Sequence, residues 1–256
     1  MINDWGEVND HTSPLKLLII GIFIMNLTRQ DRQVITNFSK FSNNLEFKKN
    51  LTQTTTNRNA FCEYTLQCDE FKPFLIYDTP EFLSVLSCYN NPKIEVFDDK
   101  IILKEFNQRF KYYTAERNIC VLPKKSIAEI IEDKIPITSF ELSFDDMKNI
   151  QRVNSLFKLP HLIFKSDEDN YHSLIITDVK NSTSLQYCLT TDFKTNRKYN
   201  SKVSGFNELQ ILISNYKVSI FEGMFLMESK DIPLKYLIAL DPTPTPDSKK
   251  ESKSNA

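Results

Sequence analysis

Two stretches of the chain alternate apolar and polar positions at helical spacing. At about 100° per residue, Val34, Ile35, Phe38 and Phe41 fall on one side of the segment 28–43. Arg29, Arg32, Thr36, Lys40 and Asn43 fall on the other, and the one acid, Asp31, lies nearer the apolar edge. The segment 143–158 repeats the design, with Met147, Ile150, Val153 and Phe157 opposite Lys148, Gln151, Arg152 and Ser155. No carboxylate is expected on that second polar face. Thr28 and Ser143 are hydroxyl N-caps, and Asp145 and Asp146 sit at the positive end of the second helix dipole.

Between these helices the pattern shortens to strand-like runs at 45–47, 60–67 and 74–77. Asp78-Thr79-Pro80-Glu81 starts a mostly apolar helix to about Tyr89, with proline at its first position and no basic residue. Strands at 93–97 and 101–105 flank Asp98-Asp99-Lys100 as a hairpin, and 109–115 completes a meander. After the second basic helix come strands at 162–165, 173–179 and 185–193 and a helix near 207–214. Strands at 217–220, 224–228 and 234–240 follow.

The two halves of this series match in order. Thr28 aligns with Ser143, Glu81–Ser87 with Glu208–Ser214, and the run from Arg109 with the run from Leu234, at offsets of 115, 127 and 125 residues. Each match alone is weak, but three in one order indicate a duplicated domain.

Composition narrows the function. The net charge is −1, so the chain as a whole is not a basic nucleic-acid binder, and any DNA contact must come from locally placed charge. Four scattered glycines exclude a Walker A loop and a dinucleotide fingerprint. Cys62, Cys68, Cys88, Cys120 and Cys188 form no C-x-x-C pair and read mostly as buried reduced thiols of a cytoplasmic protein. His11, His161 and His172 share no metal-ligand spacing. Neither a metal nor any other cofactor is expected, and no catalytic residue is assigned. The acid pairs Asp98/Asp99 and Asp145/Asp146 are explained by turn and capping chemistry rather than as nuclease ligands.

The remaining segments set the expected organisation. Residues 1–24 form a leader whose apolar run is too short to span a bilayer, and the functional fold is expected to begin at Met25. The first domain covers 25–116, a proline-punctuated connector 117–139, the second domain 140–243, and a disordered tail 244–256. Lys194, Arg197, Lys198 and Lys202 crowd one polar loop with Tyr199; a phosphate-contacting loop and a solvated loop are both open readings.

Several of these segments together resemble the sliding clamp, the DNA polymerase processivity factor, of T-even-type tailed phages. They are 74–87, Lys111-Tyr112-Tyr113-Thr114-Ala115-Glu116, the lysine- and proline-containing connector, the helix 144–157 and 234–242. The similarity runs from about Met25 to Thr243; the leader, the basic 194–205 region and the tail depart from it. It implies an α+β subunit of two similar DNA-clamp domains, helices on the inner face and antiparallel sheets outside, three copies closing a ring on duplex DNA. It further implies a clamp loader, the replicative polymerase and phage late-transcription factors as partners, in the host cytoplasm and without a membrane. On this reading Arg29, Arg32, Lys40, Lys148, Arg152 and Lys158 meet phosphates, because sequence-independent contacts permit sliding. The alternatives are a scaffold of duplicated α+β domains that never touches DNA, and a monomeric or dimeric processivity factor.

Overall fold

A computed structural model describes residues 23–55, 59–68 and 71–242. The leader through residue 22 and the tail from residue 243 lie outside the described residues. The chain enters at β1 (Phe23–Met25), two residues before the expected start, and continues into α1 (Arg29–Phe38). Then follow β2 (Leu45–Phe47), β3 (Asn50–Thr54), β4 (Ala60–Thr65), β5 (Phe74–Ile76), α2 (Thr79–Ser87), β6 (Lys93–Val96), β7 (Lys100–Glu105) and β8 (Gln108–Tyr113). A single 3-10 turn and α3 (Ile127–Ile131) lead to β9 (Thr138–Leu142) and α4 (Phe144–Phe157). The chain closes with β10 (His161–Ser166), β11 (Tyr171–Thr177), β12 (Tyr187–Lys194), β13 (Asn200–Ser204), β14 (Tyr216–Phe221), β15 (Met224–Ser229) and β16 (Leu234–Ala239).

The strands make three antiparallel sheets. One has the order β1-β6-β7-β8, one β12-β11-β10-β13, and the central eight-stranded sheet runs β5-β2-β3-β4-β16-β15-β14-β9. The order of the second half is therefore the order of the first with every index raised by eight. The two halves fuse where β4 pairs with β16, Tyr236 opposite Cys62 and Lys235 opposite Glu63.

Both basic helices start with a capping box, the hydroxyls of Thr28 and Ser143 accepting the Asp31 and Asp146 N–H groups while those carboxylates accept in return. Asp31, on the apolar side as expected, is fully buried. Its Oδ1 accepts the Tyr64 hydroxyl at 3.0 Å and the Gln67 N–H at 2.9 Å; its Oδ2 accepts the Thr28 N–H at 2.8 Å and hydroxyl at 2.7 Å. Four donors offset the cost of burying the charge and fasten the start of α1 to the end of β4. Burial, with the Asp31 charge second, pushes the Tyr64 phenol up.

Several expectations change. The first helix stops at Phe38, and the chain turns through Phe41 with short-range backbone bonds. β3 was missed because Gln53 breaks its apolar pattern; Gln53 is buried, donating through Nε2 to the Asn44 carbonyl and accepting the Thr54 N–H at 2.9 Å. The segment read as connector contains α3, opened by a Ser126/Glu129 capping box, and the start of β9. Cys62 and Cys68 are buried, but Cys88 and Cys188 are exposed, at the end of α2 and on edge strand β12.

The largest correction lies between β13 and β14. No α-helix spans 207–214: a single 3-10 turn at Phe206–Glu208 follows Gly205, whose φ is 73°, and the chain then extends. Leu209 and Ile211 are buried around exposed Gln210, a two-residue alternation. Backbone groups that a helix would pair internally are taken by neighbours: the Asn37 amide donates to the Gln210 carbonyl, and the Leu212 N–H donates to the Tyr236 hydroxyl at 3.3 Å. The sequence match with α2 holds in position along the chain but not in conformation. No helix among the described residues is long and apolar enough to cross a membrane.

Replacing Asp31 with alanine strands four donor groups. Asp31→Ala should lower the unfolding free energy by about 3 kcal/mol and Tyr64→Phe by about 1 kcal/mol, read from urea denaturation midpoints.

Candidate nucleic-acid interface

The expected phosphate-binding residues sit on two helices of one wall. On α1 and the turn after it, Arg29, Gln33, Thr36 and Lys40 are exposed at i, i+4, i+7 and i+11, a continuous stripe with no acid. Arg32 stands on the flank of α1, half-buried, its Nη1 donating to the Tyr89 carbonyl at 3.3 Å just past α2. On α4, Lys148, Arg152 and Ser155 are exposed. Lys158 is the left-handed C-cap, φ 48°, its N–H donating to the Asn154 carbonyl at 2.9 Å.

The α4 face differs from expectation in two ways. Asp145 is exposed in the first turn, on the same side as Lys148 and Arg152, so the face is not free of acid. Phe157, expected on the buried side, is 51% exposed, and only Met147 and Ile150 are fully buried. The cationic surface is nonetheless shared between the helices. A trough of about 720 Å³ separates them, with Gln33 and Asn37 of α1 and Lys40 just past it across from Gln151 and Asn154 of α4 and its C-cap Lys158. Its floor is the extended segment 209–213. A second cleft is lined by Arg29 and Phe144, bringing the first turns of the two helices together. The exposed positions of α2 (Pro80, Glu81, Ser84 and Ser87) carry no cation.

A polar lock holds the floor. Asn37 is buried; its Oδ1 accepts the Tyr236 hydroxyl at 2.7 Å while its Nδ2 reaches the Gln210 carbonyl. Lys40 Nζ donates to the Gln210 side-chain carbonyl. Burial pushes the Tyr236 phenol well up, so it stays a protonated donor here. Gln33, Asn154 and Gln210 were not singled out from the sequence; uncharged amides on a polar face give no signal beyond solubility.

The loop cations are dispersed rather than gathered. Lys194 ends β12 with Nζ 4.8 Å from the Tyr171 ring centre, and Lys198 Nζ donates to the Asp167 carbonyl at 2.7 Å. Lys202 lies inside β13 and pairs with Asp241 at 3.0 Å. Arg197 is exposed. None of the four lines the trough between the helices.

On another part of the surface, the connector crosses the central sheet. Ile127 of α3 is buried against Phe221, Leu226 and Leu237. Beside it lies an apolar pocket of about 210 Å³, floored by Phe61, Leu122, Pro123 and Ile130 and edged by Lys124 and Lys125.

No protein-family model matches the sequence, and no curated protein matches it either. Solved structures do match the fold. The chain superposes on the Streptococcus pneumoniae DNA polymerase III beta chain with a TM-score of 0.63 and 12% identity, covering 91% of this chain and 68% of that one. The Helicobacter pylori beta clamp bound to a DNA ligase peptide gives 0.60 and 14% identity, over 91% and 70%. The Entamoeba histolytica proliferating cell nuclear antigen gives 0.60 and 12% identity, over 86% of this chain and 98% of that one. The chain thus spans about two thirds of the bacterial chains and nearly all of the amoebal one. The fold is the sliding-clamp fold, helices with antiparallel sheets.

The lock predicts local behaviour. Asn37→Ala should cost about 1–3 kcal/mol and speed amide hydrogen exchange at Leu212 well before global unfolding. Exchange unchanged at that amide would separate the floor from α1.

Proposed function

We propose that this protein is a sliding clamp that encircles duplex DNA and tethers the replicative DNA polymerase, without catalysis of its own. The observation that carries this reading is the internal joint. β4 and β16 pair at the centre of the chain, and the strands equivalent to them, β12 and β8, are both unpaired sheet edges. Exposed edges are templates for pairing, and here each edge has a ready counterpart on another copy. Repeating the joint head to tail generates a heterologous assembly that closes into a ring. Each half is read as one clamp domain, 25–116 and 140–243, with 117–139 between them.

The internal registers set the expected pairing. Met25, Ile94, Leu103 and Phe110 are successive cross-strand partners, as are Phe140, Val218, Met227 and Tyr236. Glu46, Thr52 and Glu63 correspond likewise to Ile163, Ile175 and Cys188. Phe110 therefore faces Tyr187 of the next subunit, and Arg109 faces Cys188. Three copies, the number implied by the T-even resemblance, make a homotrimer of six similar units.

The wall chemistry fits sliding. Arg29, Lys40, Lys148 and Arg152 meet phosphates without reading bases, with Arg32 and Lys158 at the flanks. Enclosure supplies residence time, so a net charge of −1 is no obstacle. The apolar pocket under the connector is the docking place for partner peptides, the polymerase and the clamp loader among them. A phage origin, action in the host cytoplasm and a role in late transcription complete the proposal and rest on the sequence resemblance.

Two measurements test it. In a Cys88→Ser, Cys120→Ser background, Arg109→Cys with a short bismaleimide should give a crosslinked ladder ending at trimer, and Phe110→Asp should give monomers by light scattering. A ladder ending at dimer, or none, overturns the ring of three. Arg29→Glu with Arg152→Glu should reduce processive synthesis on primed circular DNA at least tenfold while leaving the trimer intact. Unchanged processivity would favour the scaffold that does not touch DNA.

A further inference from the structure

The outer sheet faces of the two halves are not alike. The register that matches Ile94, Leu103 and Phe110 with Val218, Met227 and Tyr236 also matches Phe97 with Phe221, Ile102 with Leu226 and Lys111 with Leu237. In the second half these three positions are buried with Ile127 of α3, the helix that precedes β9. In the first half the same seat is open: Phe97 and Ile102 are half-buried and Lys111 is exposed. Charge differs as well. One cross-strand row of the second half alternates in sign, Glu141, Lys217, Glu228 and Lys235. The matching row of the first half reads Lys93, Lys104 and Arg109, three cations directly opposite one another. Like charges so placed destabilise a strand pair. Lys104 pairs with Glu95 at 2.7 Å, but among the described residues no carboxylate pairs with Lys93, Arg109 or Lys111.

The chain carries a segment of complementary chemistry in the corresponding place. Residues 1–22 lead into this sheet at its edge strand β1, as the connector leads into the central sheet at its edge strand β9. Leu15 stands eight residues before β1, and Ile130 of α3 stands eight residues before β9. Upstream of Leu15 the leader has Asp4, Glu7 and Asp10 and neither lysine nor arginine, whereas the connector has Lys124 and Lys125 there. We infer that the leader docks on the outer face of the sheet β1-β6-β7-β8, in the seat that α3 takes in the second half. Its apolar residues from Leu15 onward cover Phe97 and Ile102, and its acids face Arg109 and Lys111. Reach is ample: the sheet is three strand spacings of about 4.8 Å wide, and an extended chain covers about 3.3 Å per residue. The docked acids neutralise a row of cations that otherwise repel. On the clamp reading this leaves one open peptide seat per subunit, under the connector; the docking itself does not rest on that reading.

Trp5 is the single tryptophan of the chain, so its fluorescence reports the leader alone. The experiment uses the full chain and measures acrylamide quenching of Trp5, with a synthetic peptide of residues 1–22 as the undocked standard. The expected result is quenching at least threefold weaker in the full chain than in the peptide, rising toward the peptide value in about 0.5 M salt as the charge contacts are screened. Arg109→Glu with Lys111→Glu should abolish the protection. Glu7→Lys with Asp10→Lys should do the same, and the four changes together should restore it, which a misfolded variant would not do. Lys180→Glu, an exposed cation outside this sheet, should change nothing. Quenching equal to that of the peptide would overturn the docking, as would protection that survives both charge reversals or is not regained by the combined variant. In the Phe110→Asp background, protection lost on dilution would place the leader on another copy, also against the proposal. None of these outcomes bears on whether the subunits encircle DNA.

Discussion

The pairing of β4 with β16 is the constraint on which the rest depends. Each half of the chain makes two four-stranded sheets, and a sheet that ends leaves a row of unsatisfied N–H and C=O groups. Joining one sheet from each half removes two of those edges inside the chain. It also sets the angle at which α1 and α4 come to lie on one side of the molecule, with the connector helix α3 packed against the central sheet. The edges β8 and β12, which correspond to β16 and β4 in the repeated strand order, stay unpaired within the chain.

The interior is tied to that joint by polar groups rather than by apolar packing alone. Asp31 collects four hydrogen bonds between the head of α1 and the end of β4. Asn37 links α1 to Tyr236 of β16 and to the floor of the trough. Both residues sit on α1, Asp31 in line with the buried stripe of Val34, Ile35 and Phe38 and Asn37 beside it. Fully satisfied, such groups specify orientation, because a rotated helix would strand a buried carboxylate or amide. The exposed stripe of Arg29 and Lys40 is thus held outward by what is buried behind it.

Charge is placed with the same economy. The cations of α1 and α4 share one wall, while the exposed face of α2 has none and Lys198 and Lys202 are engaged elsewhere. A near-neutral protein can therefore present a local positive surface. The second half has a 3-10 turn and an extended segment where the first half has α2, which makes the wall uneven. A trough lined by amides opens there, where a fully symmetric duplication would place a second helix.

Periodicity and capping were enough, in the sequence alone, to locate α1, α2 and α4, most strands, the Asp98–Asp99 hairpin and the doubling of the chain, because these depend on spacing within a segment. The candidate cations were legible for the same reason: a helix places residues four apart on one face whatever surrounds it. Tertiary structure decided what depends on partners distant in the chain. Gln53 could be a strand residue only because the Asn44 carbonyl waits for its amide. The segment after Gly205 extends because Asn37 and Tyr236 take its backbone groups, an interaction spanning 173 residues in the case of Asn37 and Gln210. The joining of β4 to β16, and with it the placing of two basic helices on one wall, arises from long-range hydrogen bonds that no local pattern encodes.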